Sequence, residues 1–244
     1  MASRGKIQVL YQQARLTFSK KKGPSLENGF SEELGNLKTL VHSLTATDFD
    51  ITPDVTKKRW DYKPYVTDSP AACMEVYECQ DFIIGLFLIK PQKSIPLHNH
   101  PGMHGIMKIL LGSMTVTSYT RAAAVRGRSD GGSKGQGDGG SFSASLVSKV
   151  TYTPQSEPCC LEPHSRNLHE IVASDQSVVF LDILGPPYNP KLGRDCAYYF
   201  REEPSPRDHS EEESILLKPG PNPAWFTCIP LTYSGPKVNP SINS

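Results

Sequence analysis

Residues 95–105 read Ile-Pro-Leu-His-Asn-His-Pro-Gly-Met-His-Gly and place His98 and His100 two positions apart at the end of an apolar stretch. Side chains of an extended strand alternate between its faces, so these two imidazoles project to the same side, about 6.5–7 Å apart along the backbone. One metal ion can bridge that span, and Pro101-Gly102 then breaks the strand. A solvated loop with scattered histidines is the other interpretation. Three histidines within seven residues favour half of a metal site carried on a β-strand.

The composition favours strands over helices. Twenty-one prolines and 19 glycines, with 37% hydrophobic residues, are typical of many short strands joined by turns. A chain of 244 residues can bury a substantial core, and one all-β domain of this length is common. The formal net charge of +1 gives no field that would attract nucleic acid or an acidic membrane, and no heptad pattern indicates a coiled-coil partner. We therefore expect a monomer that binds neither nucleic acid nor membrane.

The N-terminal residues leave two interpretations of where the protein works. No apolar run approaches the roughly 20 residues of a membrane span, and the six cysteines form no CxxC pair, which favours reduced thiols and a cytoplasmic location. Residues 1–22 are basic without an acid, and one helical face carries Ile7, Leu10, Ala14 and Phe18. This pattern fits a mitochondrial presequence or an amphipathic helix packed on the domain, and the sequence favours the packed helix.

The pattern then divides the chain into helical and β segments. Ser31 and the acids after it predict an N-cap, and the apolar spacing that follows predicts a second helix over residues 31–44. Strands are predicted from residue 74 onward, with paired segments at 74–78 and 82–89 and a turn at Gly112-Ser113. We thus assign residues 1–70 to N-terminal helices with a connecting segment, packed on a barrel formed by residues 71–244. Residues 121–149, rich in glycine and serine, are predicted to be a flexible insertion in that barrel.

The later strands add a third histidine and a carboxylate. His164 and His169 lie five residues apart in a predicted strand, and from the residues alone either can complete the metal site. Asp182 shares a strand face with Val178, Phe180 and Leu184, so its carboxylate is expected to be buried. A buried carboxylate needs a partner, and a ligand imidazole N–H is the partner that this sequence offers. We therefore predict that Asp182 orients one of the metal-binding histidines; capping of a neighbouring turn is the alternative. Residues alone thus indicate a β-barrel metalloprotein.

Several motifs in one order resemble a known family. They are His-Asn-His-Pro-Gly-Met-His-Gly at 98–105, Asn-Leu-His at 167–169, Phe-Leu-Asp-Ile-Leu-Gly-Pro-Pro-Tyr at 180–188, Gly-Arg-Asp-Cys-Ala-Tyr-Tyr at 193–199 and Tyr-Ser-Gly-Pro-Lys-Val at 233–238. Together they resemble the cysteamine (2-aminoethanethiol) dioxygenases and their plant cysteine oxidase relatives. The resemblance covers residues 30–238 without the glycine-rich insertion. It implies a cupin double-stranded β-helix, a jelly-roll barrel, that carries one non-haem Fe(II).

The resemblance also implies the site and its reaction. It assigns the three iron ligands to His98, His100 and His169. It implies oxidation by O2 of cysteamine to hypotaurine, and of the N-terminal cysteine of proteins to cysteine sulfinic acid, which makes protein lifetime depend on oxygen. Many other cupins have a ligating glutamate near residue 104, where this sequence has a histidine. Three neutral ligands leave the ferrous site at +2, which suits binding of a thiolate.

Two further residues are candidates through the same resemblance. Some thiol dioxygenases carry a thioether between a cysteine and a tyrosine, and the resemblance makes Cys196 and Tyr198 the candidate pair. Residues one position apart share a strand face and can approach each other. The alternative is that both residues only pack in the core.

Two other functions remain open at this point. One is a cupin enzyme of different chemistry that holds Fe, Mn, Ni or Zn, because histidine-rich sites do not select one of these metals by affinity. The other is a cupin without catalytic activity that binds a ligand or a partner. The missing acidic ligand favours thiol oxidation over most sugar-directed cupins, and a complete set of candidate ligands argues against a pure binding module.

Overall fold

A computed structural model describes residues 3–19, 27–52, 68–122, 140–202 and 214–242. Two helices come first, α1 (Ser3–Phe18) and α2 (Glu27–His42), followed by a 3₁₀ turn at Ala46–Phe49. The apolar face of α1 packs inward as predicted, with Ile7, Leu10 and Ala14 fully buried. Within the described residues, no helix is both long and apolar enough to cross a membrane.

Twelve strands follow the helices within the described residues. Their bounds are β1 (Ala71–Glu78), β2 (Ile83–Ile89), β3 (Ser94–Asn99), β4 (His104–Leu111), β5 (Met114–Arg121), β6 (Phe142–Tyr152), β7 (Cys159–Leu161), β8 (Leu168–Ala173), β9 (Val178–Gly185), β10 (Tyr198–Arg201), β11 (Ser214–Gly220) and β12 (Cys228–Pro230). The predicted β1–β2 pair is antiparallel, and Gly112, with a φ of 75°, forms the predicted turn between β4 and β5. A positive φ is a conformation that glycine adopts without the steric cost of a side chain.

The strand order is that of a jelly roll. One sheet has the order β12-β1-β2-β9-β4-β7, and the other closes on itself in the order β10-β11-β6-β5-β8-β3. The antiparallel pairs β2–β9, β3–β8, β4–β7 and β5–β6 are nested within one another along the chain. Nested pairs divided between two facing sheets form the double-sheet jelly roll of the cupins. The predicted all-β jelly-roll barrel with N-terminal helices is therefore confirmed.

Two apolar clusters hold this architecture together. One lies between the helices and the first sheet, where Leu10 and Leu37 join Ile84, Leu86 and Leu181. The other fills the barrel between the two sheets, and includes Ile89, Ile109, Met114, Ile171 and Phe180. The helices thus share a core with one sheet of the barrel, and the barrel interior has a core of its own.

The structure corrects two predicted boundaries. Strand β6 begins at Phe142, whereas the sequence analysis assigned residues up to 149 to the flexible insertion. Residues 142–149 of this strand were missed because most of their side chains are exposed; Ala144 is buried and packs with Leu217 of β11. Residues 123–139 of the predicted insertion lie outside the described residues. Helix α2 begins at Glu27, so Ser31 lies inside the helix and is not its N-cap.

Candidate metal centre

Three histidines meet at one end of the barrel interior. His98 on β3 lies directly opposite His169 on β8, and His100 follows the end of β3. The Nε2 atom of His100 lies 3.1 Å from that of His98 and 3.4 Å from that of His169. One ligand atom from each residue lies within 4.8 Å of the others, as binding of a single ion requires. The structure therefore brings together the three predicted ligands.

The rear nitrogen atoms of two imidazoles have partners that fix the rings. Nδ1 of His98 lies 2.8 Å from the Pro96 carbonyl, which selects the tautomer with hydrogen on Nδ1. The Tyr188 hydroxyl donates to the Asn99 carbonyl at 3.0 Å and lies 2.8 Å from Nδ1 of His100, so that His100 donates to the hydroxyl oxygen. His169 in turn makes a hydrogen bond to the backbone of Arg166. Nε2 of His98 and of His100 thus keeps its lone pair for a metal.

Two asparagines hold the backbone around the ligands. The Asn167 side chain accepts a hydrogen bond from the His100 N–H at 2.9 Å and donates to the His100 carbonyl at 2.7 Å. The Asn99 side chain accepts a hydrogen bond from the Ala197 N–H at 2.9 Å and donates to the Tyr199 hydroxyl, also at 2.9 Å. These contacts fasten the segment after β3 to the neighbouring strands. Sequence reasoning missed both roles, because a polar residue beside a histidine gives no indication of its distant partner.

Burial keeps all three imidazoles neutral. Burial lowers the pKa of His98 to about 4 and the pKa of His100 and of His169 well below the ordinary value of 6.5. A neutral imidazole is the form that binds metals. The cluster offers three nitrogen donors without a carboxylate, a set that suits Fe, Zn, Cu and Ni better than Mg or Ca. The residues present therefore fit a transition-metal ion.

The histidines face a cavity of about 240 Å³ inside the barrel. Its walls are largely apolar, and include Phe87, Ile95, Met107, Ile171, Phe180, Leu184 and Phe226. Polar groups at its surface include the Asp182 carboxylate and the hydroxyls of Tyr188 and Tyr198. A small cavity with apolar walls and few polar groups is typical of a site for a small molecule or for the end of a longer chain.

The structure corrects the predicted role of Asp182. Asp182 lies on β9 and lines the cavity as expected, but the observed hydrogen-bond partners of the three ligand imidazoles are the Pro96 carbonyl, the Tyr188 hydroxyl and the backbone of Arg166. Tyr188 orients His100, the role that the sequence analysis predicted for Asp182. Strand β9 instead places the Asp182 carboxylate in the cavity wall. Burial raises the pKa of Asp182 to about 7. The site thus contains a carboxylate that gains or loses a proton near neutral pH.

Cys196 and Tyr198 are neighbours, although not for the predicted reason. Only Tyr198 belongs to a strand, since β10 begins there, and Cys196 lies in the preceding loop. The Cys196 thiol makes hydrogen bonds to the hydroxyls of both Tyr188 and Tyr198. All three side chains line the cavity. The cysteine therefore links the tyrosine that orients His100 to the tyrosine of the predicted thioether.

The two remaining candidate histidines lie elsewhere. His164 is exposed in a loop, which leaves His169 as the third ligand. His104 packs against Phe30 of α2, with ring centroids 4.8 Å apart. The side chain at the position where other cupins place an acidic ligand thus contacts the helical layer.

Known proteins are similar to this chain over most of its length. The PCO_ADO family model matches residues 40–238. The chain is 36% identical to a 2-aminoethanethiol dioxygenase of Mus musculus, over 96% of each chain, and 35% identical to a 2-aminoethanethiol dioxygenase of Homo sapiens, over 88% of this chain and 84% of that one. It is 30% identical to plant cysteine oxidase 1 of Arabidopsis thaliana, over 76% of this chain and 60% of that one.

Solved structures are also similar to parts of this chain. The structure of KdgF from Halomonas sp. is 12% identical, with a TM-score of 0.35 over 54% of this chain and 87% of that chain. The family match spans most of this chain and includes the three histidines, Asp182, Cys196 and Tyr198. This chain belongs to the PCO_ADO family, the thiol dioxygenase family of the 2-aminoethanethiol dioxygenases and plant cysteine oxidases.

Proposed function

We propose that this protein is an Fe(II)-dependent thiol dioxygenase that acts on cysteamine and on the N-terminal cysteine of proteins. The observation that carries the proposal is the convergence of three neutral imidazoles on an apolar cavity whose wall holds one carboxylate. Its relatives are named 2-aminoethanethiol dioxygenase and plant cysteine oxidase, which supports both substrate types. The products are hypotaurine and a protein that begins with cysteine sulfinic acid.

The two substrates share the group that the cavity has to recognise. Cysteamine and an N-terminal cysteine both carry a primary amine two carbons from the thiol. The Asp182 carboxylate is the acidic group in the cavity wall, and an incoming ammonium favours its ionised form. We therefore assign Asp182 to bind the substrate amine, in place of the orienting role expected from the sequence.

The reaction adds both atoms of O2 to sulfur, so that R–SH and O2 give the sulfinic acid R–SO2H. Fe(II) held by His98, His100 and His169 would supply the redox chemistry that allows O2 to react with a thiolate. The apolar walls, with the stacked rings of Phe87 and Phe180, keep water from the reacting sulfur. Tyr188 keeps the proton of His100 on Nδ1 and leaves Nε2 for the metal.

The chain's location and assembly complete the proposal. We place the enzyme in the cytoplasm, as a monomer, where sulfinylation of an N-terminal cysteine would tie the lifetime of a protein to the oxygen supply. The cytoplasmic location is supported by six cysteines that form no CxxC pair, and the monomer by the near-neutral charge of +1 and the absence of a heptad pattern.

The direct experiment is mass spectrometry of cysteamine and of a peptide with N-terminal cysteine, after iron-loaded protein meets air. We expect each substrate to gain the mass of two oxygen atoms. His169→Ala should abolish the gain and lower the bound iron. His164→Ala, a matched control at an exposed histidine, should behave like the unaltered protein. The absence of any gain with stoichiometric iron would overturn the proposed reaction.

A second comparison tests the amine site separately. Asp182→Asn keeps the size of the side chain and removes its charge. We expect a rise in KM of roughly tenfold or more for cysteamine, the loss expected for one charged hydrogen bond. For 2-mercaptoethanol, which lacks the amine, KM should change little. Equal effects on both thiols would contradict the assignment of Asp182 to the amine.

A further inference from the structure

Two half-buried cysteines, Cys73 and Cys228, lie side by side next to the cavity, and the proposed oxidation uses neither. Strands β1 and β12 pair in parallel, with Cys228 opposite Ala71 and Cys73 opposite Pro230. Cys73 is two residues beyond Ala71, so both thiols lie on the same face of the sheet. Cys228 lines the cavity, whereas Cys73 is not part of its lining. Both side chains are half-buried, so the pair lies beside the cavity and is partly open to solvent.

The two sulfurs interact directly. A hydrogen bond from Cys228 lowers the pKa of Cys73 to about 7, and the same bond raises the pKa of Cys228 well above its ordinary range. Cys73 is therefore the more readily ionised thiol of the pair, and Cys228 keeps its proton. This asymmetry is typical of exchange pairs in which one thiolate attacks a disulfide and the second thiol completes the reaction.

The sheet position also permits a bond between the two sulfurs. Parallel strands lie about 4.8 Å apart and rise about 3.3 Å per residue, so Cα atoms of residues offset by two positions are about 8 Å apart. Most disulfides join Cα atoms 4.4–6.8 Å apart, so bond formation requires one strand to slide along the other by about 1–2 Å. Strand β12 has only three residues and lies at the edge of its sheet, so the shift affects few hydrogen bonds of the sheet. Phe226, two residues before Cys228, lines the cavity and would move with this strand.

We propose that Cys73 and Cys228 form a thiol–disulfide exchange site that is oxidised to an intramolecular disulfide by a low-molecular-weight disulfide. The Cys73 thiolate attacks one sulfur of the oxidant, breaks its S–S bond and releases one thiolate. Cys228 then loses its proton, attacks the Cys73 sulfur of the mixed disulfide and releases the second thiol. Two protein thiols are oxidised while one disulfide is reduced to two thiols. The site is independent of the proposed dioxygenase activity and needs no metal.

The test uses the full chain with a chelator, without oxygen, in buffers of increasing oxidised-to-reduced glutathione ratio. Free thiols are alkylated, and the peptides are identified by mass spectrometry. We expect a peptide pair joined through Cys73 and Cys228, with the mass of two hydrogen atoms lost. In Cys228→Ser, Cys73 should instead carry one glutathione. In Cys73→Ser, Cys228 should remain unmodified because burial still raises the pKa of its thiol and keeps it protonated.

Cys79→Ser is the matched control, because Cys79 is also half-buried and directly follows strand β1. This variant should form the same link at the same glutathione ratio as the unaltered protein. A link between Cys228 and Cys196, adducts of glutathione without an internal link, or unreacted thiols across the whole series would each overturn the proposal.

Discussion

At the residue scale, Asp182 shows how a single group can make stability depend on pH. The folded protein holds the Asp182 proton up to about pH 7, whereas an unfolded aspartate releases it near pH 4. Folding therefore takes up a proton between these values. The stabilising contribution of the protonated carboxyl is complete below about pH 4 and is lost as the pH rises to about 7.

Asp182→Asn should remove this dependence. In metal-free protein we expect the free energy of unfolding of the unaltered chain to fall, relative to the variant, by up to about 1.4 kcal/mol per pH unit between pH 4 and 7. Urea unfolding at several pH values measures the difference, in which the contributions of the three histidines cancel. Asp175→Asn, at an exposed turn, is the control and should follow the unaltered protein. If the free energy of unfolding depends on pH in the same way in the unaltered protein and in Asp182→Asn, the pKa of the Asp182 carboxyl is not raised.

Tyr188 acts on the metal through His100. Tyr188→Phe removes the hydroxyl that lies 2.8 Å from Nδ1 of His100 but keeps the ring. Losing such a partner of a ligand imidazole typically weakens metal binding by about 10–100-fold. Competition with a chelator measures this affinity directly. Tyr199→Phe, which removes a hydroxyl bonded to the Asn99 side chain, is a milder control for loss of a tyrosine hydroxyl near the site. Equal metal affinity in both variants would contradict the role assigned to Tyr188.

The contact between Cys196 and Tyr198 leads to a covalent prediction. Because the thiol is hydrogen-bonded to the tyrosine hydroxyl, it lies next to the ring carbon that a thioether would use. We expect iron-loaded protein exposed to air and substrate to lose the mass of two hydrogen atoms in the peptide that contains both residues. Tyr198→Phe should retain its full mass. The same mass in both proteins after many turnovers would leave the two residues as packed neighbours.

At the scale of the element, buried charge secures the turn after β6. Lys108 on β4 is only 2% exposed, and its ammonium donates to the carbonyls of Pro154 and Ser156 at 2.6 and 2.8 Å. Lys108→Met keeps an unbranched side chain and leaves both carbonyls without this donor. We expect a loss of about 1–3 kcal/mol in the free energy of unfolding. Lys149→Met, at an exposed position of β6, should change it by less than about 0.5 kcal/mol.

Elements with a local sequence pattern could be predicted, whereas elements and contacts that depend on distant residues could not. Alternating or continuous apolar residues predicted β2 and β9, and the spacing of His98 and His100 predicted their common direction, because each depends only on local periodicity. Strand β6 escaped prediction because its stability comes from pairing with β5 and β11, not from an apolar face of its own. The partners of the ligand imidazoles escaped for a similar reason. Tyr188 lies 88 positions from His100 in sequence, and only the folded barrel brings them together.

At the scale of the whole molecule, the packing of the N-terminal helix favours one of the two interpretations of residues 1–22. Its side chains Ile7, Leu10 and Tyr11 are at most 4% exposed and belong to the core shared with the first sheet. Burial of side chains of this size contributes about 1.5–3 kcal/mol each. Their sum is comparable to the free energy of unfolding of a typical domain, which is roughly 5–15 kcal/mol. A helix so placed is part of the folded domain, as the packed-helix interpretation expects.

We therefore expect a chain without residues 1–22 to lose cooperative unfolding. Because that variant would also fail if it aggregated for other reasons, two point variants of the complete chain make the test sharper. Leu10→Ala, on the buried face, should lower the free energy of unfolding by about 2–5 kcal/mol. Val9→Ala, at a side chain that is 41% exposed, should lower the free energy of unfolding by less than about 0.5–1 kcal/mol. If both variants unfold like the unaltered protein, α1 contributes nothing to the core and a removable presequence becomes the better interpretation.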